Sequence, residues 1–165
     1  MTDFSYQLYS SRNFGPLEAT LEMVAKCGYT QVEAYGGLYE DLDRLEKALA
    51  VNGLRMPTGH FDLTLVEKTP NKAIEIAKRL GMTAVIVPFL NPDDRPADAK
   101  GWTKFADRLS EAGKPILDAG LTFGWHNHEF EFNTLEGGEK PLDLILQSEN
   151  GVSLELDLAW VAVGG

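Results

Sequence analysis

Two stretches of the chain concentrate side chains able to do chemistry. The first is Trp125-His126-Asn127-His128-Glu129-Phe130-Glu131-Phe132. Read as a strand, it alternates side chains between two faces, so His126 and His128 share one face. The second is Leu154-Glu155-Leu156-Asp157-Leu158-Ala159-Trp160. The same alternation gives Glu155 and Asp157 a common face and turns Leu154 and Leu156 the other way. Two carboxylates buried without a counter-charge would be very costly, and a divalent cation or a neighbouring histidine offsets that cost. The competing reading is a strand at a sheet edge with both acids in water. The third and last histidine, His60, stands in Pro57-Thr58-Gly59-His60-Phe61-Asp62. Histidine and carboxylate donors without thiolates suit Mn, Mg, Co or Zn, and the donor types do not choose among them. A cation so held is a Lewis acid. It stabilises the enediolate left when a carboxylate or histidine removes a proton α to a carbonyl.

Short apolar runs alternate with helical patterns along the whole chain. The runs are Phe4 to Tyr9, Gln31 to Tyr35, Leu54 to Phe61, Ala84 to Leu90, Leu121 to Phe132 and Val152 to Val161. Between them the spacing of apolar residues predicts helices from Pro16 to Gly28, Asp41 to Asn52, Asn71 to Leu80, Ala97 to Ala119 and Leu142 to Ser148. Glycines at 28, 53, 81 and 120 stop the first four. Strands that are apolar throughout and alternate with helices predict a parallel sheet covered by helices. The loop after the first run, Ser10 to Gly15, lacks the glycine fingerprint of a dinucleotide fold. Polar groups gather instead at nearly every predicted strand C-terminus: Gln7, Glu33, His60, His126, His128, Glu131, Glu155 and Asp157. That ring is how a (β/α)8 barrel builds an active site. Tyr9, Tyr35, Phe61, Phe89 and Trp160 fall near the same ends. Most are expected to pack, and one or two to present a flat face to a sugar ring.

The chain has 165 residues and a formal net charge of −10. Such a surface repels phosphate backbones and anionic membranes, so neither nucleic acid nor membrane is expected as a partner. The single cysteine, Cys27, can build neither a disulfide framework nor a thiolate zinc site, and beside Gly28 it reads as a small buried residue. No basic-then-apolar leader and no run of membrane-spanning length is present, so a cytoplasmic location is expected. The chain reads as one domain over 1–165. A full barrel takes ~250 residues, so about six of the eight strand–helix units are expected here, with the last two lacking.

His126-Asn127-His128-Glu129-Phe130-Glu131-Phe132 followed by Leu156-Asp157-Leu158-Ala159-Trp160 resembles the xylose-isomerase-like TIM barrel superfamily, and within it the sugar phosphate isomerase/epimerase group. Inosose dehydratases, ketose 3-epimerases and hydroxypyruvate isomerases are relatives. The resemblance runs from Tyr6-Gln7-Leu8-Tyr9 to Gly164-Gly165. It implies a sugar, sugar phosphate, keto-sugar or inositol derivative as substrate, and isomerisation or epimerisation by α-proton abstraction. It implies one divalent metal ion held by Glu131, with Glu129 the alternative, and by Asp157, with His126 where some relatives use a glutamate. Glu131, His126 and His128 become the catalytic candidates, and Gln7, Glu33, His60 and Trp160 the substrate-binding ones. In such proteins two further ligands come from strands seven and eight, so half of that metal site is expected on this chain. A 3-keto-glycoside lyase or an inosose-type dehydratase uses the same enolate chemistry. A different outcome is an inert, truncated barrel that acts only by association, and a homo-oligomer is expected in either case.

Overall fold

The computed structural model describes residues 4–147 and 151–165. Six strands form one parallel sheet in chain order: β1 (Ser5–Gln7), β2 (Gln31–Ala34), β3 (Arg55–His60), β4 (Ala84–Val87), β5 (Thr122–His126) and β6 (Ser153–Glu155). Every pairing is between consecutive strands and parallel. Seven helices return the chain along the outside: α1 (Leu17–Lys26), α2 (Leu42–Asn52), α3 (Leu63–Lys68), α4 (Pro70–Arg79), α5 (Ala99–Asp118), α6 (Pro141–Leu146) and α7 (Leu158–Gly164). The result is a curled half-barrel, an incomplete TIM barrel.

The helices form where apolar residues recur at helical spacing behind a cap. In α2, Leu45, Ala48 and Leu49 are buried, Asp41 accepts from the Arg44 N–H at 3.0 Å, and Gly53 ends the helix in the left-handed region at φ 63°. Asp62 caps α3 through the Thr64 and Leu65 N–H groups. This short helix lies outside the predicted set. Asp62 at its N-cap and buried Leu63 and Val66 are the signals that mark it. The predicted helix ending at Ser148 is seen only to Leu146, and Ser148 lies outside the described residues. Cys27 is exposed, which corrects its reading as a buried residue. It follows the last turn of α1, whose buried residues are Thr20, Leu21 and Val24.

Ion pairs join neighbouring helices on the outside. Arg44 bridges α2 to Glu18 of α1, Arg79 of α4 reaches Asp43 and Glu46 of α2, and Arg108 of α5 holds Glu67 of α3. Solvent screens such exposed pairs, so they order the helices more than they stabilise them. The main stabilisation is the apolar layer between sheet and helices. There Phe123 and Trp125 of β5 are fully buried, with Trp125 edge-on to Phe105 of α5 at 5.3 Å.

On the inner face, register sets which residues meet. Gln7 pairs with Glu33, and Glu33 with Thr58. Between Gln31 and Glu33 the partner strand advances from Arg55 to Thr58, one residue more than β2 uses. This bulge at Met56-Pro57 shifts the parity of β3 and turns Thr58 and His60 inward. Farther along, Gly124 stands beside Ser153 and His126 beside Glu155.

Gly113 tests the packing of this layer. A Cβ there would fall inside the van der Waals envelope of the Phe123 ring, which is fully buried. Gly113→Ala gains ~1 kcal/mol of helix propensity, but overpacking a tight core costs about 1–3 kcal/mol. A net loss of stability is expected in urea denaturation, and a gain would show that the ring has room to move.

Candidate active site

The inner row of polar residues converges at the C-terminal ends of the strands. Glu155 Oε2 lies 2.7 Å from His60 Nε2 and 3.0 Å from His126 Nδ1, so one carboxylate oxygen serves imidazoles from two other strands. His60 Nε2 also stands 3.3 Å from Glu33 Oε1. Glu33 in turn accepts Gln7 Nε2 at 2.8 Å and Thr58 Oγ1 at 2.5 Å. Glu33, His60 and His126 are each less than a tenth exposed. Burial raises the Glu33 carboxyl above the usual range, and its hydrogen bond with Glu155 adds to this. Burial alone would raise Glu155 too, but hydrogen bonds from His126, His60 and Glu33 outweigh it and hold Glu155 below the usual range. The two acids are therefore pushed apart, Glu33 toward holding a proton and Glu155 toward holding its charge.

The strand at β5 ends at His126, earlier than the predicted Phe132. Alternation therefore does not carry through to His128. Its ring instead sits 5.2 Å from His126, 5.2 Å from Phe89 and 5.1 Å from Trp160. Nδ1 of His128 is buried with no hydrogen-bond partner. Burial, then neighbouring His126, lowers its pKa, so the ring is neutral at neutral pH.

Glu131 is not brought to this cluster. It sits in the 3-10 turn Phe130–Phe132, fully buried, and accepts from Trp125 Nε1 at 2.9 Å and from the His128 N–H at 2.8 Å. Trp125 belongs to the outward layer of β5, so Glu131 ties that layer to the loop carrying His128. Both its oxygens are engaged, which corrects the expectation that it faces the site as a metal ligand. Asp157 is likewise redirected. The sixth strand ends at Glu155, and Asp157 is the N-cap of α7, its Oδ1 accepting from the N–H groups of Ala159 at 2.8 Å and Trp160 at 3.1 Å. Its Oδ2 remains 3.9 Å from His126 Nε2. Leu156, expected against helices, is nearly half exposed.

The position that gathers the site is Glu155, which alternation places with Asp157 on the inward face but which the resemblance leaves out of the ligand set. Asn127 and Thr58 are further contributors outside the predicted set. Fully buried Asn127 receives the Asp157 N–H on Oδ1 at 2.8 Å and gives Nδ2 to the Asp157 carbonyl at 3.3 Å. Above the cluster opens a cavity of about 580 Å3. Gln7, Tyr9, Tyr35, His60, Phe89, His126, His128, Asp157 and Trp160 help to line it. Nε2 of His60, Nδ1 of His126 and a Glu155 oxygen fit a divalent cation. One ligand atom from each lies within 4.8 Å of the others, and ligands about 2.1 Å from one ion in a tetrahedron stand about 3.4 Å apart.

No protein-family profile and no curated protein matches the sequence. Solved structures do match in fold. A sugar phosphate isomerase/epimerase from Parabacteroides distasonis superposes with a TM-score of 0.82 at 23% identity, over 98% of this chain and 67% of that one. An AP endonuclease of family 2 from Brucella melitensis gives 0.70 at 16% identity, over 96% and 69%. An IolI protein crystallised with zinc gives 0.60 at 18% identity, over 78% and 52%. Each neighbour is longer than this chain. What they share with it is the fold: the chain has the fold of the xylose-isomerase-like TIM barrels, with six parallel strands of it described.

Proposed function

We propose that the protein acts on a sugar or keto-sugar, isomerising or epimerising it by transfer of a proton α to a carbonyl, with one divalent cation bound. The observation that carries this reading is the convergence of His60 and His126, both lining the aromatic-walled cavity, on one carboxylate oxygen of Glu155. Neighbours in fold that include a sugar isomerase/epimerase and a zinc-containing protein support the class of chemistry. The endonuclease neighbour does not shift the reading, because a chain of net charge −10 is poorly suited to a phosphate backbone.

His60, His126 and Glu155 would hold the cation, which supplies Lewis acidity toward a carbonyl and its neighbouring hydroxyl. Glu33, held in place by the Gln7 and Thr58 contacts, stands beside His60 Nε2 at the edge of the cation position. His128, neutral and lining the cavity, accepts the α-proton and returns it. Glu131 acts through His128 by holding its backbone N–H. Trp160 closes one side of the His128 ring.

Two experiments test this. The first follows exchange of α-C–H for deuterium by NMR, with a panel of aldoses and ketoses in D2O and added Mn, Co or Zn. Exchange is expected only with a cation present, and His128→Gln and Glu155→Gln should each slow it by at least roughly 100-fold. Absence of exchange with every cation and sugar would sink the enzymatic reading. The second separates Glu131 from the cation. Glu131→Gln leaves one buried donor facing another, so stability should fall by about 1–3 kcal/mol while cobalt binding, read from its visible absorption, stays as in the parent. Loss of cobalt binding equal to that of Glu155→Gln would restore Glu131 as a ligand.

A further inference from the structure

The rim of the cavity carries an unusual pairing of aromatic rings and cations. Tyr9 and Phe89 stand at its mouth about half exposed, although large apolar rings are normally covered. Each has an arginine locked against it. Arg12 lies 3.7 Å from the centre of the Tyr9 ring and donates Nη1 to the Tyr9 carbonyl at 2.6 Å. Arg95 lies 3.5 Å from the Phe130 ring and 5.2 Å from the Phe89 ring, and donates Nε to the Leu90 carbonyl at 3.0 Å. Tyr35 meets Tyr9 edge-on at 5.6 Å, and Trp160 faces the cavity from the β6 side. Among the described residues no lysine or arginine lines the cavity, whereas Asp62 and Asp157 do.

We infer that this cavity takes an uncharged sugar, its ring form docking against the aromatic rim before it opens to the carbonyl form, and rejects the phosphorylated form of the same sugar. The inference rests on the sugar-directed reading above and chooses within it. A sugar ring presents C–H groups on its faces and hydroxyls around its edge. The C–H faces suit the electron-rich faces of Tyr9, Phe89 and Trp160. The hydroxyls are donors to carboxylates, and one oxygen of Asp62 and one of Asp157 are already committed to capping α3 and α7. Their second oxygens are the acceptors left for a ligand. A phosphate dianion would meet those same acids, while Arg12 and Arg95 are held to backbone carbonyls and ring faces. Neither arginine lines the cavity; each is stacked on a ring at its rim.

The test is calorimetric titration of the whole chain with matched pairs: D-fructose and its 6-phosphate, D-glucose and its 6-phosphate, each with and without Mn. A tryptophan fluorescence change would accompany binding, because Trp102 and Trp125 are buried and Trp160 alone of the three lines the cavity. The neutral member of a pair should bind at least roughly tenfold more tightly. Phe89→Ala and Tyr9→Ala, checked for folding by circular dichroism, should each weaken it by roughly three- to tenfold. Tighter binding of a phosphorylated member overturns this inference and leaves the sugar-directed function standing. So does neutral binding that neither aromatic substitution changes. No binding by any member overturns both.

Discussion

One carboxylate oxygen, Oε2 of Glu155, organises the interior of this sheet. It receives His60 from three strands away in the sheet and His126 from the adjacent strand. None of these groups could stand there alone, because an ionised side chain out of water without a partner is costly. Together with Glu33 they form a closed set in which each buried group has a partner. The set demands that β3, β5 and β6 end at matched heights, and the parallel register supplies that match. Strand ends are thus constrained by chemistry as much as by packing.

Two local departures from regular structure make the convergence possible. The bulge at Met56-Pro57 changes which side chains of β3 face inward. Without it, Pro57 would oppose Glu33 and His60 would point toward the helices. The second is the absence of a side chain at Gly124. A Cβ there would meet Ile86 and the Ser153 carbonyl within 3 Å. The glycine lets β6 approach β5 closely, which brings Glu155 under His126. Gly59 acts similarly, since a Cβ there would collide with the Tyr39 hydroxyl and Met82.

How much of this can be read in the sequence follows from the reach of each signal. The strand–helix alternation is legible because buried parallel strands are apolar throughout and helices repeat every three to four residues. The histidines at strand ends are legible because their type and spacing point to one face. What alternation cannot show is where a strand stops. Once β5 ends at His126, residues 127–132 follow turn geometry, and Glu131 goes to the outer layer to satisfy the Trp125 indole. The same limit hides α7, because Asp157 reads as a strand residue until its carboxylate is seen capping Ala159 and Trp160. The bulge is silent in the sequence apart from Pro57, which gives no N–H to a ladder.

Asn127 shows how the site is kept in order beyond the last rung of the sheet. The β5–β6 ladder ends at His126 and Glu155. One residue on, the Asn127 side chain takes the place of a backbone partner, engaging both the N–H and the carbonyl of Asp157. An amide is the one neutral side-chain group with a donor and an acceptor in this arrangement. It lets the main chain of β5 turn away toward His128 while β6 remains attached. Asp157, fixed by that pair of bonds, starts α7 and so sets Trp160 against the His128 ring. The acid that the resemblance would give to the cation thus shapes the cavity wall, and Glu155, at the last rung of the ladder, is left to face the histidines.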